Sequence, residues 1–334
     1  MSDSLFEKAL SERPLLMDGA TGTNLFDMGL VSGDAPELWN DEYPERIFEL
    51  NFGFVEAGSD VVLTNTFGAN AMRLKLHASE FRVSELNEKA VEIARRAASK
   101  AERNVFVAGS MGPLGELIEP VGSLGIEEAV NAFTDQALAL ERAGCDILWI
   151  ETLSSEEELQ AAAQGACRTN LPYACTGSFD TNGRTMMGVT PARFAEVCAQ
   201  LEFRRPFAVG SNCGIGPAQT VVAAMEMVEA LPGRFAYVAK ANCGVPVWEG
   251  AKIRYTATPE QMSDYVRIAC DAGASIVGGC CGTRVEHVRR MREVIDGYRP
   301  GVRPTITDVT EHLGEVFDTA EKKSSRRRRS RRRS

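Results

Sequence analysis

A chain of 334 residues that is 44% hydrophobic and 25% charged has the proportions of a soluble globular enzyme. No apolar stretch approaches the ~18 residues of a membrane helix, and the N-terminus MSDSLFEKALSERPLLMDG lacks the basic and apolar regions of a signal peptide. The net charge of −9 divides unevenly: residues 321–334 carry two lysines and seven arginines against Glu321, or +8, which leaves −17 on residues 1–320.

In chain order, eight short apolar runs end in polar or glycine-rich turns. They are LLMDGATG (15–22), DVVLTNTFG (60–68), VFVAGSMG (105–112), DILWIETL (146–153), YACTGSFD (173–180), FAVGSNCG (207–214), YVAKANCG (237–244) and IVGGCCGT (276–283). Between most of them lie helix-length segments with apolar spacing near 3.6, such as 84–101 and 126–144. Thr190-Pro191 and Thr258-Pro259 predict helix starts, with threonine as the cap and proline first in the helix. EAGSDVV (56–62), RAGCDIL (142–148) and DAGASIV (271–277) repeat one junction, a helix that ends on glycine and turns at once into a buried strand.

Continuous apolar strands alternating with helices predict a parallel sheet covered by helices. Eight such units close into a single (β/α)8 barrel of the α/β class; a doubly wound open sheet is the alternative. Residues 1–300 are assigned to the barrel, 301–320 to a C-terminal extension and 321–334 to a disordered, arginine-rich tail. The tail reads as a solvated end that repels itself, and without interleaved aromatic residues nucleic acid is not the expected partner. The nine cysteines are odd in number and lie mostly in apolar runs, so reduced thiols in a cytoplasmic protein are expected rather than a disulfide framework.

A barrel of this kind carries its active site at the C-terminal ends of the strands. Those ends hold Asp18, Thr64-Asn65-Thr66, Glu151-Thr152, Asn212-Cys213, Asn242-Cys243 and Cys280-Cys281. Cys213 in GSNCG and the pair Cys280-Cys281 in GGCCGT are a soft-ligand set that suits zinc, and three protein ligands leave one position open for chemistry. Strands six and eight have one neighbour between them, close enough for a shared metal. Adjacent residues of a regular strand face opposite ways, so Gly278, Gly279 and Gly282 are expected to bend the chain until both sulfurs point inward.

Three thiolates already give zinc excess negative charge, which makes it a poor generator of hydroxide. It is better suited to binding an incoming thiol, whose proton metal coordination removes. Alkyl transfer to sulfur therefore fits this ligand set better than hydrolysis. If the thiol belongs to an amino acid, Asp18 and Glu151 are the best-placed carboxylates for its ammonium group.

DGATGTNL (18–25), TNTFGAN (64–70), GSMGP (109–113), ET (151–152), GSNCGIGP (210–217) and GGCCGT (278–283) resemble the homocysteine S-methyltransferase family, over residues 12 to 297. That family includes the homocysteine-binding barrel of methionine synthase and betaine–homocysteine methyltransferase. The resemblance implies a (β/α)8 barrel with zinc on Cys213, Cys280 and Cys281 acting in catalysis. It also implies homocysteine bound through sulfur, its amino group near Asp18 and Glu151, and its carboxylate at the backbone amides of Gly19 and Ala20.

Two departures bear on the donor and the metal. Cys243 stands where related barrels read NAG, as a spare sulfur or a small buried residue. Betaine-using relatives surround the quaternary ammonium with aromatic rings; here Trp39 is available, but Gly68 and Thr152 stand where those relatives carry tyrosines. The expected reaction is methionine formation from a methyl group brought by methylcobalamin or methylfolate on a separate protein. Betaine is the alternative donor, and a non-enzymatic zinc barrel that binds nucleic acid through its tail is the least favoured reading.

Overall fold

The eight apolar runs all enter one parallel sheet, from two residues of strand in the first to seven in the fourth. In chain order these are β1 (Leu15–Leu16), β2 (Val61–Leu63), β3 (Phe106–Met111), β4 (Ile147–Leu153), β5 (Tyr173–Gly177), β6 (Ala208–Cys213) and β7 (Ala236–Ala241). An antiparallel hairpin of β8 (Pro246–Glu249) and β9 (Lys252–Tyr255) follows, and β10 (Ile276–Gly279) returns to the sheet. This computed structural model describes residues 5–249 and 252–316, so the assigned tail lies outside the described residues.

Sheet order is β1-β10-β7-β6-β5-β4-β3-β2. Met17 bridges Val61 in parallel, Asp60 N–H donates to Leu16 O at 2.7 Å, and Asp18 N–H to Val61 O at 3.1 Å. The first and second strands therefore meet, and the ring closes into a (β/α)8 barrel rather than an open sheet. The hairpin is an insertion that the apolar pattern did not predict.

Side-chain alternation divides the core into two layers. Inward residues of successive strands, among them Leu15, Met17, Val61, Leu63, Phe106, Trp149, Val238 and Ile276, fill the barrel. Their neighbours, such as Leu16, Val62, Val107, Leu148 and Val277, pack outward against the helices. Helix Leu5–Glu12 closes the N-terminal end, where the Phe6 ring meets Phe106 and Phe207 edge-on, both at 5.1 Å.

The expected punctuation is present. Thr190 and Thr258 cap helices Pro191–Gln200 and Pro259–Asp271 through their side chains. Gly58, Gly144 and Gly273, at the three repeated junctions, have φ of 105°, 89° and 107°. A side chain is strained there, which is why one residue type recurs. Beyond the barrel, helix Ile306–Leu313 packs against helices Pro217–Ala230 and Pro259–Asp271 and buries Val309.

Candidate active site

Counting by twos along each strand explains the mouth of the barrel. The inward positions that are apolar lower down become polar at the top: Ser110 two beyond Ala108, Glu151 two beyond Trp149, and Thr176 two beyond Ala174. Lys240 lies two beyond Val238, and Asn212 and Cys280 stand four beyond Ala208 and Ile276. One periodicity thus builds an apolar plug and, above it, a polar layer at the end where the loops can shape a pocket.

The three predicted thiols come together. The sulfurs of Cys213, Cys280 and Cys281 lie within 4.8 Å of one another, and Cys213 and Cys281 are 3.8 Å apart. This group can hold a metal ion. Only β7 separates β6 from β10, as expected. The bend is in part the one predicted: Gly282 takes φ of 80°, whereas Gly278 and Gly279 stay within β10, and on the other strand Cys213 itself takes φ of 60°. At Gly279 a Cβ would come within 2.2 Å of Thr283, so that glycine supplies room rather than freedom.

The turns that carry the cysteines are tied to each other. Asn242 donates from Nδ2 to Gly214 O at 2.6 Å and accepts at Oδ1 from Cys281 N–H at 3.0 Å. Tyr255, from β9, packs its ring against Gly282, next to Cys281, where a Cβ would come within 2.2 Å of it. Hydrogen bonds shared with Cys213 and Cys280, helped by Tyr255 and Lys240, hold the Cys281 thiol well below its usual range, whereas those shared with Cys280 and Cys281 push the Cys213 thiol up. Cys243 takes no part: it is buried, and its sulfur donates to Ala257 O at 3.2 Å.

At the other side of the mouth stand the two predicted carboxylates. Asp18 Oδ2 accepts from Leu63 N–H at 2.7 Å, while the buried Oδ1 has no hydrogen-bond partner among the described residues. Burial pushes its pKa up, and neither Lys240 nor the Leu63 amide cancels that. Glu151 Oε1 accepts from Ser110 Oγ at 2.6 Å; burial raises this carboxyl to about 7, with Lys240 pulling the other way. Burial alone drives Lys240 down, but Asp18, Cys280 and Glu151 outweigh it and keep the ammonium charged. Of the two amides expected for a carboxylate, Ala20 N–H is already donated to Thr283 O at 3.1 Å, which leaves Gly19.

Thr152 follows Glu151 in a bulge of β4 with φ of 66°, an expensive conformation for a β-branched residue. Asn212 pins it: Oδ1 accepts from Thr152 N–H at 2.9 Å and from Thr176 Oγ1 at 2.7 Å, and Nδ2 donates to Thr152 Oγ1 at 2.8 Å. Trp39 is not the open ring expected for a cationic donor. It is buried, with the Arg46 guanidinium 5.0 Å over its face. Lys240, Ser110, Thr176 and Tyr255 were not singled out in the sequence; the period-two count finds the first three, and nothing local marks the fourth.

A family model described as homocysteine S-methyltransferase matches residues 15–295. The chain belongs to that family of methyltransferases. It is 30% identical over 310 residues to methionine synthase of Mycobacterium tuberculosis (strain ATCC 25618 / H37Rv), covering 86% of this chain and 25% of that protein. The methionine synthase of Mycobacterium leprae (strain TN) is 29% identical, over 89% of this chain and 26% of that protein. The chain therefore spans about a quarter of the length of these relatives. The metallated form of the homocysteine methyltransferase MmuM from Escherichia coli superposes with a TM-score of 0.71 at 24% identity, over 86% of this chain and 98% of that one. That likeness shows the shared barrel. No helix among the described residues is long and apolar enough to cross a membrane.

Proposed function

We propose that this chain is a zinc-dependent homocysteine S-methyltransferase that forms methionine in the cytoplasm. The carrying observation is the trio of sulfurs at the mouth. Ligands held tetrahedrally at about 2.3 Å from zinc stand about 3.8 Å apart, and Cys213 and Cys281 are 3.8 Å apart. When bound, zinc would supply the Lewis acidity that lets a thiol lose its proton near neutral pH.

The remaining groups suit an amino-acid thiol. Asp18 and Glu151, oriented by Leu63 N–H and Ser110 Oγ, bind the ammonium of homocysteine. Gly19 N–H meets its carboxylate. The Asn212 and Asn242 amides keep the strained Thr152 and Cys213 turns in place. In the transfer a sulfur–carbon bond forms, the donor–carbon bond breaks and the thiol proton is lost.

For the donor, we retain a methylated corrinoid or folate, because Trp39 offers no open aromatic face to a small cation. A second reading, betaine, is favoured by one observation: the inserted hairpin brings the Tyr255 ring beside the thiols. The test is a donor panel with homocysteine and the zinc-loaded protein. It comprises methylcobalamin, methyltetrahydrofolate with a corrinoid protein, betaine and S-methylmethionine. Efficient methionine formation from betaine alone selects the second reading, and formation from none of them overturns both.

A further inference from the structure

Lys240 is a buried ammonium for which ammonium recognition by two carboxylates has no use. It is 2% exposed, and its Nζ lies 3.5 Å from Asp18 Oδ1. That is longer than an ordinary hydrogen bond, and Asp18 Oδ1 makes none among the described residues. A cation kept only to neutralise an aspartate closes on it, as Arg13 closes on Asp60 at 2.7 Å through both nitrogens. Lys240 instead stands on β7 with Asn212 of β6 and Gly278 of β10 as its register partners, so the two strands that lead to the thiols flank it on either side.

The charges of the site give this position a meaning. Three thiolates on a divalent cation would leave one negative charge, at a mouth that also holds the buried Asp18 and Glu151. Homocysteine adds an ammonium, a carboxylate and, as it reacts, an anionic sulfur. Methionine adds only the first two, because its sulfur is a neutral thioether. We propose that Lys240 is the counter-charge for the substrate sulfur, and so sets the preference of the site for homocysteine over methionine, the product that must leave. This rests on the functional reading above. Methyl transfer cancels the charge that Lys240 attracts, so the same residue that favours binding of the substrate stops favouring the product.

At an effective dielectric of about 20, a unit charge within roughly 6–10 Å changes an equilibrium by about tenfold to a hundredfold. The experiment is calorimetric titration of the zinc-loaded protein with homocysteine and with methionine, for wild type, Lys240→Met, Lys240→Gln and Lys240→Arg, with zinc content measured for each. The Met and Gln variants should lose about tenfold or more in homocysteine affinity, with methionine within about twofold, and Arg should retain the wild-type ratio. Equal losses for the two ligands would show that Lys240 merely supports Asp18, and unchanged affinities would show no role; either overturns the proposal. Failure of both neutral variants to fold or hold zinc marks a structural lysine and overturns it too. A wild-type protein that binds neither amino acid refutes the homocysteine reading instead.

Discussion

Two buried aspartates at opposite ends of the barrel show how partners decide what burial does to the same side chain. Asp60, at the N-terminal end beside β2, receives both Arg13 nitrogens at 2.7 Å, Arg292 at 3.0 Å and Leu16 N–H at 2.9 Å. Burial would raise its pKa, but these partners prevail and lower it. Asp18, at the mouth, has one amide and a distant lysine, and burial prevails. A saturated carboxylate is part of the scaffold, while a carboxylate with a buried oxygen left over is a candidate for a ligand. The strained residues Thr152 and Cys213 lie at the same end as Asp18.

The sharpest way to break this contrast is to remove the thiols. Cys213→Ala, Cys280→Ala and Cys281→Ala should each abolish zinc binding, expected at about one per chain, together with turnover. Melting temperatures should move little, because the cluster sits above the apolar plug and not in it. Full metal content and turnover in all three variants would remove the metal centre from the mouth.

The two aspartates can then be exchanged for asparagine one at a time. Asp60→Asn leaves Arg13 and Arg292 without their carboxylate and should cost about 2–3 kcal/mol of stability, a buried-pair loss discounted because Arg13 is partly exposed. Homocysteine affinity should not change. Asp18→Asn should do the reverse: stability held or slightly raised, and homocysteine binding weaker by about 1.5–3 kcal/mol, the worth of a charge-assisted hydrogen bond. Denaturant titration and calorimetry on both variants check the pair, and similar profiles for the two would erase the distinction.

The smallest expected effect is a pH dependence with opposite signs at the two ends. Glu151 has a carboxyl raised from 4.5 to about 7, so between those values the folded state holds the extra proton and stability falls as pH rises. The ionised form that binds an ammonium appears only above about 7, so methionine affinity should rise roughly tenfold between about pH 6 and pH 8. Glu151→Gln should flatten that rise. Asp60, lowered from 3.8, contributes stability present above that value and lost as pH falls through its folded pKa. A methionine affinity that is flat with pH in the wild type would place Glu151 outside the pocket.

The strands, the glycine junctions, the threonine caps and the meeting of three cysteines were legible because each is a local pattern: an apolar run, a required φ, a cap residue or cysteines at strand ends. Trp39 and Ala20 were misjudged for one reason. A ring or an amide looks available in a sequence until the fold supplies its partner, here Arg46 and the Thr283 carbonyl. The β8–β9 hairpin escaped because PVWE and KIRY carry no continuous apolar run.

By itself, then, the sequence determined which residues form the barrel and which cysteines meet, since hydrophobic period and glycine conformation act over a few residues. Only the tertiary structure decided the electrostatics of the mouth. Lys240 in YVAKANCG reads as a flaw in a buried strand until ring closure brings β1, with Asp18 just beyond it, within one strand of β7. Whether a buried charge is paired or left free depends on distances between groups far apart in the chain, and those exist only once the barrel has closed.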